Sequence, residues 1–174
     1  INNENATEVF NAIQHMKNLT NLNLHQNNFE LNDQTVSSFC TGIKKTKIQR
    51  LDIAFASVNN NGWDALSACL PTCKQLEYLN LEQNWLLGQA NDVTKKSMIN
   101  FVDKLHNSTE LHTVKFGEGF LQHFFSLHKK EKETFVSMIN NIPKIRQFIL
   151  FDQLSVSRDM YDKIISPNIT LVEQ

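Results

Sequence analysis

The sequence predicts an α/β fold in which strand–helix units repeat to form one curved solenoid. Two observations lead to this prediction. A motif of spaced leucines recurs along the chain, and between its copies the apolar residues change from a strand-like to a helix-like period. Parallel strands are then expected on the concave face and helices on the convex face. With 174 residues, 41% of them hydrophobic and 20% charged, the chain can bury one core, so residues 1–174 are interpreted as one domain, compatible with a piece of a longer protein.

Three segments share the pattern L-x-x-L-x-L-x-x-N-x-L, with Ile or Val in place of some leucines. They begin at Leu19, Ile48 and Leu76, 28–29 residues apart, and Ala56 replaces the asparagine of the second copy. Looser copies begin at Leu111, Ile145 and Ile169. This pattern resembles the leucine-rich repeat, and its spacing resembles the ribonuclease-inhibitor-like subclass. The resemblance covers nearly the whole chain and implies an α/β leucine-rich-repeat solenoid of five to six right-handed βα repeats.

We call the stretch from one motif copy to the next a coil. Within each motif, positions four and six point to one side of a short strand, while positions three and five face the opposite side. The asparagine at position nine can bond to backbone groups of the neighbouring coil, and Asn27 and Asn84 are expected to do so. Ala56 and Gly119 cannot form such bonds, so the hydrogen bonding between coils is expected to be weaker, or mediated by water, beside them.

Apolar residues with helical spacing separate the strands and predict one helix per coil. The expected core faces are Val9, Phe10, Ile13 and Met16; Val36, Phe39, Cys40 and Ile43; Leu66, Cys69, Leu70 and Cys73; Met98, Phe101, Val102 and Leu105; Phe135, Met138, Ile139 and Ile142; and Met160, Tyr161, Ile164 and Ile165. Asn61-Gly62 and Pro71 are expected to mark element boundaries in the second coil, and Pro143 to end the fourth helix before the next strand. The longer coils predict insertions at 87–96 and 124–133 on one rim, the second of them as a helix extension.

Charge and apolar runs exclude several classes of partner. Seventeen basic and eighteen acidic residues give a net charge of −1, so no global field favours nucleic acid or an anionic membrane. No apolar run approaches the roughly 18–20 residues that span a bilayer, and the polar start is unlike a signal peptide. Three cysteines without a disulfide spacing favour a reducing compartment. We expect a cytoplasmic protein, or one delivered into a host cytosol if this small Asn- and Lys-rich array is a bacterial effector.

Metal and catalytic sites are not predicted. His123 and His128 are five residues apart, which is a poor spacing for one helical face, and no cysteine pair accompanies them. Cys69 and Cys73 could share a zinc ion, but core packing is favoured because both lie on an apolar face. No hydrolase, nucleotide-binding or zinc-protease motif occurs. We therefore predict no catalytic residue, no cofactor and no bound metal.

The concave strand face is the predicted site of function. Aromatic side chains and an arginine stand there among polar residues, a composition that favours recognition over a purely solvated surface. The candidate protein-binding residues are Arg50, Asp52, Phe55, Tyr78, Asn80, Glu82, Trp85, Lys115, Ile149 and Phe151. The open alternative is that Phe55 and Phe151 fold back to cover the edges of the repeats.

The sequence therefore predicts a monomeric, non-catalytic protein–protein interaction module. Six strands about 4.8 Å apart span only about 24 Å, so a partner is expected to contact the rim insertions as well. Two other functions stay open. Ribonuclease-inhibitor-like arrays include activators of small GTPases, and an array of this kind can also be a structural cap in a cytoskeletal or multidomain protein.

Overall fold

A sheet of short parallel strands alternates with helices along the chain. The computed structural model describes residues 1–84, 92–117 and 127–149. Within these ranges the elements are, in order, α1 (Asn3–Ile13), β1 (Asn21–Asn23), α2 (Val36–Lys44), β2 (Arg50–Asp52), α3 (Asn60–Cys69), a 3-10 turn (Leu70–Thr72), β3 (Tyr78–Asn80), α4 (Asp92–Leu105), β4 (Thr113–Lys115), α5 (Lys129–Asn140) and β5 (Gln147–Ile149). The predicted α/β class is confirmed. No helix in the described ranges has both the length and the apolar character needed to cross a bilayer.

The register of the sheet follows the motif. The strands pair in the order β1-β2-β3-β4-β5, and every pairing is parallel. Motif position four of each coil lies beside position four of the next, in a column formed by Leu22, Leu51, Leu79, Val114 and Phe148. The alignment of the first five motif copies is therefore confirmed. The sixth copy, at Ile169, lies outside the described residues.

Most of the predicted helix faces are buried. Each helix packs against the next one along the chain, and the sheet lies on the other side of a single apolar core. The predicted core residues found buried are Phe10, Ile13, Val36, Phe39, Cys40, Ile43, Leu66, Cys69, Leu70, Cys73, Phe101, Val102, Leu105, Phe135, Ile139 and Ile142. Val9 and Met138 are partly buried against this core. The side chain of Met98 and the whole closing face at 160–165 are not among the described residues.

Two core predictions need correction. Met16 is 50% exposed, because α1 ends at Ile13 and Met16 lies in the turn that follows, where the helical period no longer applies. Trp63 was not predicted, yet it is 1% exposed and its ring stands edge-on to Phe101 at 5.2 Å. It lies one turn before Leu66 and extends the same apolar face of α3.

Asn61-Gly62 stands where the helix of the second coil begins, at an element boundary as predicted. Both residues lie in the first turn of α3, where the side chain of Asn59 caps the helix by accepting the N–H of Gly62 at 2.7 Å. A Cβ atom at Gly62 would stand 2.1 Å from the carbonyl oxygen of Leu31. Glycine is therefore required by the close approach of helix and loop, and not by a turn.

The position-nine asparagine links its coil to the part of the chain before it. Asn84 is 1% exposed; its Oδ1 accepts the N–H of Ala56 at 2.6 Å, and its Nδ2 donates to the carbonyl of Ile53 at 2.7 Å. Asn27 donates to the carbonyl of Leu24 in its own coil at 3.0 Å, and its Oδ1 accepts a hydrogen bond from the backbone nitrogen of Ile1, 26 residues earlier, at 2.5 Å. The predicted bond to backbone groups of a neighbouring unit is thus confirmed for Asn84 and, through Ile1, for Asn27. Gly119 lies outside the described residues.

Replacing Leu79 by Ala should destabilise the fold strongly. Leu79 is fully buried and paired in register with Leu51 and Val114, which are also fully buried. Removing an enclosed leucine side chain costs about 2–5 kcal/mol of unfolding free energy, a large share of a typical 5–15 kcal/mol. Leu22→Ala is the matched control, because Leu22 holds the same motif position at the edge of the sheet and is only partly buried. Urea denaturation in which both variants lose the same free energy would contradict the proposed core.

Asn84→Ala should lower the free energy of unfolding more than Asn27→Ala, the same change at the same motif position of the first copy. The change at Asn84 leaves a buried N–H and a buried carbonyl unpaired, which costs about 2–6 kcal/mol of unfolding free energy at 1–3 kcal/mol per group. Asn27 is partly exposed, so water can replace its bonds to Leu24 and Ile1 and the loss should stay near 1 kcal/mol. Urea midpoints of the two variants, compared with the parent chain, measure the difference. Equal losses would mean that the hydrogen bonds of Asn84 to the preceding coil contribute little to stability.

Candidate protein-binding surface

The candidate residues lie on the side of the sheet opposite the leucine column. We call this side, formed by motif positions three and five of the strands and positions seven and eight of the loops that follow, the polar strand face. Position four is buried in β2, β3 and β4, whereas position three becomes more exposed toward β1. Row three holds Asn21, Arg50, Tyr78, Thr113 and Gln147, and row five holds Asn23, Asp52, Asn80, Lys115 and Ile149. Both rows match the prediction.

Each of the first three strands ends in the same side-chain turn. The Oδ1 of Asn23 accepts the backbone N–H of His25 at 2.8 Å, and the Oδ1 of Asp52 accepts that of Ala54 at 3.1 Å. In the third coil the Oδ1 of Asn80 accepts the N–H two residues later at 3.0 Å. An Asn or Asp that bonds two residues ahead bends the chain out of the strand. Position five therefore ends the strand, a role that the sequence interpretation did not assign to it.

Position eight completes this turn in a left-handed conformation. Gln26, Phe55 and Gln83 have φ values of 55°, 62° and 55°. The N–H of Phe55 donates to the carbonyl of Glu82 in the next coil at 2.9 Å, so the backbone is held on both sides of the turn. A non-glycine residue costs roughly 1–2 kcal/mol in this region. The turn directs position eight outward, and the aromatic ring of Phe55 is consequently 44% exposed.

The fourth coil departs from this pattern for a chemical reason. Lys115 holds position five and has no side-chain oxygen to accept the N–H two residues on. The left-handed residue is Gly117, with φ 76°, one position earlier than in the other coils. A Cβ there would stand 3.2 Å from the backbone nitrogen of Gln83, so glycine suits both the conformation and the space.

Two candidate residues in row three form a cation–π pair. The guanidinium carbon of Arg50 lies 4.2 Å from the centre of the Tyr78 ring. Arg50 is exposed and Tyr78 is half-buried. An exposed pair of this kind contributes about 0.5–1 kcal/mol. The pair places a positive group against an aromatic ring on the polar strand face.

Asp52 joins the first three coils around Phe55. One of its oxygens accepts the Nδ2 of Asn80 at 3.1 Å, and the other lies 3.7 Å from the Nδ1 of His25. The ring of His25 meets the ring of Phe55 edge-on at 5.3 Å, with 78° between their planes. We call these four residues, His25, Asp52, Phe55 and Asn80, the Phe55 cluster. His25 was not among the predicted binding residues, although it stands at position seven of the first motif.

The structure brings some candidates together and leaves others apart. Asn80 lies in the predicted row but is 4% exposed, because its amide is held between the carboxylate of Asp52 and the next turn. Glu82 and Lys115 are half-buried on the same face. Trp85 and Phe151 lie outside the described residues, and of Ile149 only its place in β5 is described.

Phe55 does not cover a repeat edge in the way the alternative interpretation requires. Its ring contacts His25 of the preceding coil along one side, yet nearly half of its surface is open to solvent. A Phe residue that closes an edge would be enclosed, as Phe29 is at 2% exposure. For Phe55 the structure therefore favours a surface role, while Phe151 is not among the described residues.

Two histidines lie near carboxylates. On the polar strand face His25 lies beside Asp52, and at motif position two, just before the strands, the Nε2 of His112 lies 3.8 Å from a carboxylate oxygen of Glu77. Across residues 1–84, 92–117 and 127–149, no group of three or more His, Cys, Asp or Glu side chains could hold a metal ion. These described residues therefore offer a ligand an exposed aromatic ring, a guanidinium held near Tyr78 and several hydrogen-bonding groups.

Comparison with known proteins adds no family to this description. The sequence matches no protein-family model, and no curated protein matches it. What the polar strand face can do must therefore be derived from its own residues.

Phe55→Asn should leave the stability nearly unchanged. Asparagine tolerates the left-handed conformation, so relief of about 1 kcal/mol of backbone strain offsets the loss of an edge-on ring contact worth about 0.5–1.5 kcal/mol. The free energy of unfolding should change by less than about 1 kcal/mol. Phe39→Ala is the control for an enclosed ring, since Phe39 is fully buried and its loss should cost about 3–5 kcal/mol. If urea denaturation gives similar losses for both variants, Phe55 belongs to the core.

Proposed function

We propose that this chain is a non-catalytic protein–protein interaction module that binds a partner protein through the polar strand face. We also propose that its repeats form a leucine-rich-repeat solenoid of the ribonuclease-inhibitor-like kind. Five parallel strands in chain order, with each helix packed on the next, support the second proposal. Each unit then contacts only its neighbours, which is the arrangement typical of repeat arrays that present an extended binding surface.

The exposed, left-handed Phe55 is the observation that carries the binding proposal. Folding alone favours Gly, Asn or Asp at such a position, because these residues enter the left-handed region at little cost. Phe55 bears that strain and leaves 44% of its surface in water, so the apolar burial that a Phe side chain can contribute is only partly used in the free protein. A partner that covers the ring would use the rest of that surface, which explains a Phe at this position.

The neighbours of Phe55 suit a protein partner better than a passive surface. The Arg50–Tyr78 pair joins β2, the strand that leads to Phe55, to β3 on the same face, and Asp52 is the last residue of β2. Aromatic and arginine side chains dominate the energetics of protein interfaces, with polar groups around them that set orientation. The expected partner offers an apolar recess for Phe55 and hydrogen-bonding groups for Asp52 and Arg50.

The size of the sheet sets a condition on this interface. Five strands about 4.8 Å apart place the outer strands about 19 Å from each other. A standard interface covers about 800 Å² on each partner, which is larger than a patch of this width and three-residue depth. The partner is therefore proposed to contact the loops after the strands as well, where Phe55 itself lies. In the described part of the chain, no observation favours the GTPase-activating or structural alternatives.

Capture experiments with matched variants test this proposal. The immobilised parent chain, Phe55→Asn and Met16→Asn are each exposed to lysate of the source cells, and the bound proteins are quantified by mass spectrometry. Met16 is the control because it is the other large hydrophobic side chain that the described residues leave exposed, and it lies on the turn after α1. A central interface ring contributes about 2 kcal/mol or more, so Phe55→Asn should reduce a specific partner by roughly thirtyfold while Met16→Asn retains it.

A partner retained equally by all three chains would contradict binding through Phe55. Arg50→Ala provides a second, independent variant on the polar strand face, since Arg50 is exposed and its loss should not disturb the core. If neither Phe55→Asn nor Arg50→Ala weakens any captured protein, the polar strand face is not the interface.

A further inference from the structure

The lysines of residues 1–84 are gathered on one side of the molecule, at the starts of the strands. Every one of them lies in, or at the edge of, a turn that leads from a helix into the following strand. They are Lys17 before β1, Lys44, Lys45 and Lys47 before β2, and Lys74 before β3, and all five are exposed. We call these five residues the basic rim.

Contacts between successive turns hold the basic rim together. The N–H of Gln49 donates to the carbonyl of Thr20 at 2.7 Å, and that of Glu77 donates to the carbonyl of Gln49 at 2.8 Å. The Nζ of Lys45 donates to the Oε1 of Gln14, just after α1, at 2.9 Å. Neighbouring strands are about 4.8 Å apart and packed helices about 8–10 Å apart, so adjacent turns lie within the Debye length of about 10 Å at 0.1 M salt. The charges of the basic rim therefore act on an approaching ligand together.

Carboxylates that would neutralise the basic rim lie elsewhere. Eight acidic residues occur within residues 1–84, and of these only Glu77 lies in one of the three turns. Its carboxylate lies 3.8 Å from the Nε2 of His112, before β4. None of the described carboxylates forms an ion pair with a lysine of the basic rim. The net charge of −1 for the whole chain therefore does not reveal the local excess of positive charge at this rim.

The later turns show that lysines near this position can be paired within the fold. The Nζ of Lys104, near the end of α4, lies 3.4 Å from a carboxylate oxygen of Asp103. The Nζ of Lys144, before β5, lies 2.8 Å from a carboxylate oxygen of Glu110. Among the described residues, the turns before β4 and β5 thus contain paired lysines, whereas the first three turns leave theirs available to an external anion.

The helix dipole explains only part of the basic rim. The C-terminus of a helix favours a cation, and this effect falls off within the last turn. It accounts for Lys44, the last residue of α2, and for Lys45, which follows it. Lys17 and Lys47 lie three or more residues beyond α1 and α2, and Lys74 lies beyond the 3-10 turn that follows α3. These three lysines do not serve to stabilise a helix end.

We propose that the basic rim docks the protein on an anionic lipid surface. Lysines near such a surface attract it without a fixed geometry, which suits ammonium groups spread over three turns. The three turns contain no arginine and no Phe, Tyr or Trp, the groups that hold single phosphates and stack nucleic-acid bases. Met16 lies next to Lys17 and is 50% exposed, so it offers an apolar side chain that can enter between the headgroups.

The strength of this contact follows from the number of lysines. Each lysine near an anionic membrane strengthens binding about fivefold, which corresponds to roughly 1 kcal/mol. Five lysines and one partly inserted side chain give an association constant on the order of 10³–10⁴ M⁻¹, near that of a single lipid anchor. The contact is therefore expected to be reversible and sensitive to salt.

Membrane docking leaves the polar strand face accessible and does not rest on the proposed protein partner. Lys47 precedes β2 and Phe55 follows it, so the basic rim and the exposed ring lie at opposite ends of the same strand. Phe55→Asn should therefore bind lipid like the parent chain. That result separates a failure of the protein interface from a failure of the lipid surface.

Sedimentation with lipid vesicles tests the proposal on the full chain. At about 1 mM accessible lipid, phosphatidylcholine vesicles that contain phosphatidylserine should bind a substantial part of the protein, and vesicles of phosphatidylcholine alone should bind much less. A triple variant, Lys17→Gln, Lys47→Gln and Lys74→Gln, removes one charge from each turn. It should bind the anionic vesicles roughly a hundredfold more weakly, at about fivefold per lysine.

A second triple variant is the matched control. Lys96→Gln, Lys129→Gln and Lys130→Gln change the net charge by the same amount, but these exposed lysines lie near the beginnings of α4 and α5, away from the basic rim. This variant should bind within about twofold of the parent chain, because salt screens distant charges. Equal weakening by the two triple variants would overturn the proposal, since net charge alone would then govern binding.

Measurements on the parent chain keep the test independent of any folding defect in the variants. At about 1 M salt, where the Debye length falls to about 3 Å, binding to the anionic vesicles should drop at least tenfold. Undiminished binding at that salt, or equal binding to the two kinds of vesicle, would overturn the proposal. Tighter binding to duplex DNA or to polyglutamate than to the anionic vesicles at the same salt would also overturn it, in favour of another anionic partner.

Discussion

The turn that ends each strand is the constraint from which the rest of the structure follows. In the first three coils an Asn or Asp oxygen at position five accepts the N–H of position seven, and position eight then turns left-handed. This limits each strand to three residues, too few to be stable alone. Three-residue strands persist only when they are stacked in register, so the local turn makes the repeat arrangement necessary.

Stacking is stabilised mainly by the leucine column and secured by a few polar bonds. Leu51, Leu79 and Val114 are fully buried side by side, and burial of one such side chain contributes about 1.5–3 kcal/mol. The bonds of Asn84 to Ala56 and Ile53 contribute less as a net term, near 1 kcal/mol each. Their importance lies in the cost of losing them, because the partners are buried backbone groups that no ladder satisfies. Apolar burial therefore supplies the stability, and Asn84 fixes the register.

The same turn creates the candidate binding surface. In the first three coils this turn directs position eight away from the core. The side chain at that position therefore determines which chemical group the surface presents to a partner. Gln26 and Gln83 present amides to solvent, whereas Phe55 presents a ring beside His25 and Asp52. The Asx turn of Asp52 and the backbone bond from Phe55 to Glu82 hold this ring in place despite its strain. A rigid aromatic group of this kind loses little conformational freedom on binding.

The sequence by itself determined the α/β class, the strand positions, the register of five motif copies and most of the helix faces. These follow from short-range periodicity, which depends only on where side chains point along one element. The two rows of the polar strand face were predictable for the same reason, and Arg50, Asp52 and Tyr78 lie in them as expected.

Only the tertiary structure decided which groups meet across coils. The burial of Asn80, the partners of Asn84, the need for Gly62 beside Leu31 and the contact of Cys69 with the carbonyl of Cys40 each depend on residues from another coil. Asn27 and Asn84 have the same motif position and different partners, because only Asn84 has a motif-bearing coil before it. A pattern read along one segment cannot contain that information, since the strength of a hydrogen bond or the exposure of a ring is set by what packs against it.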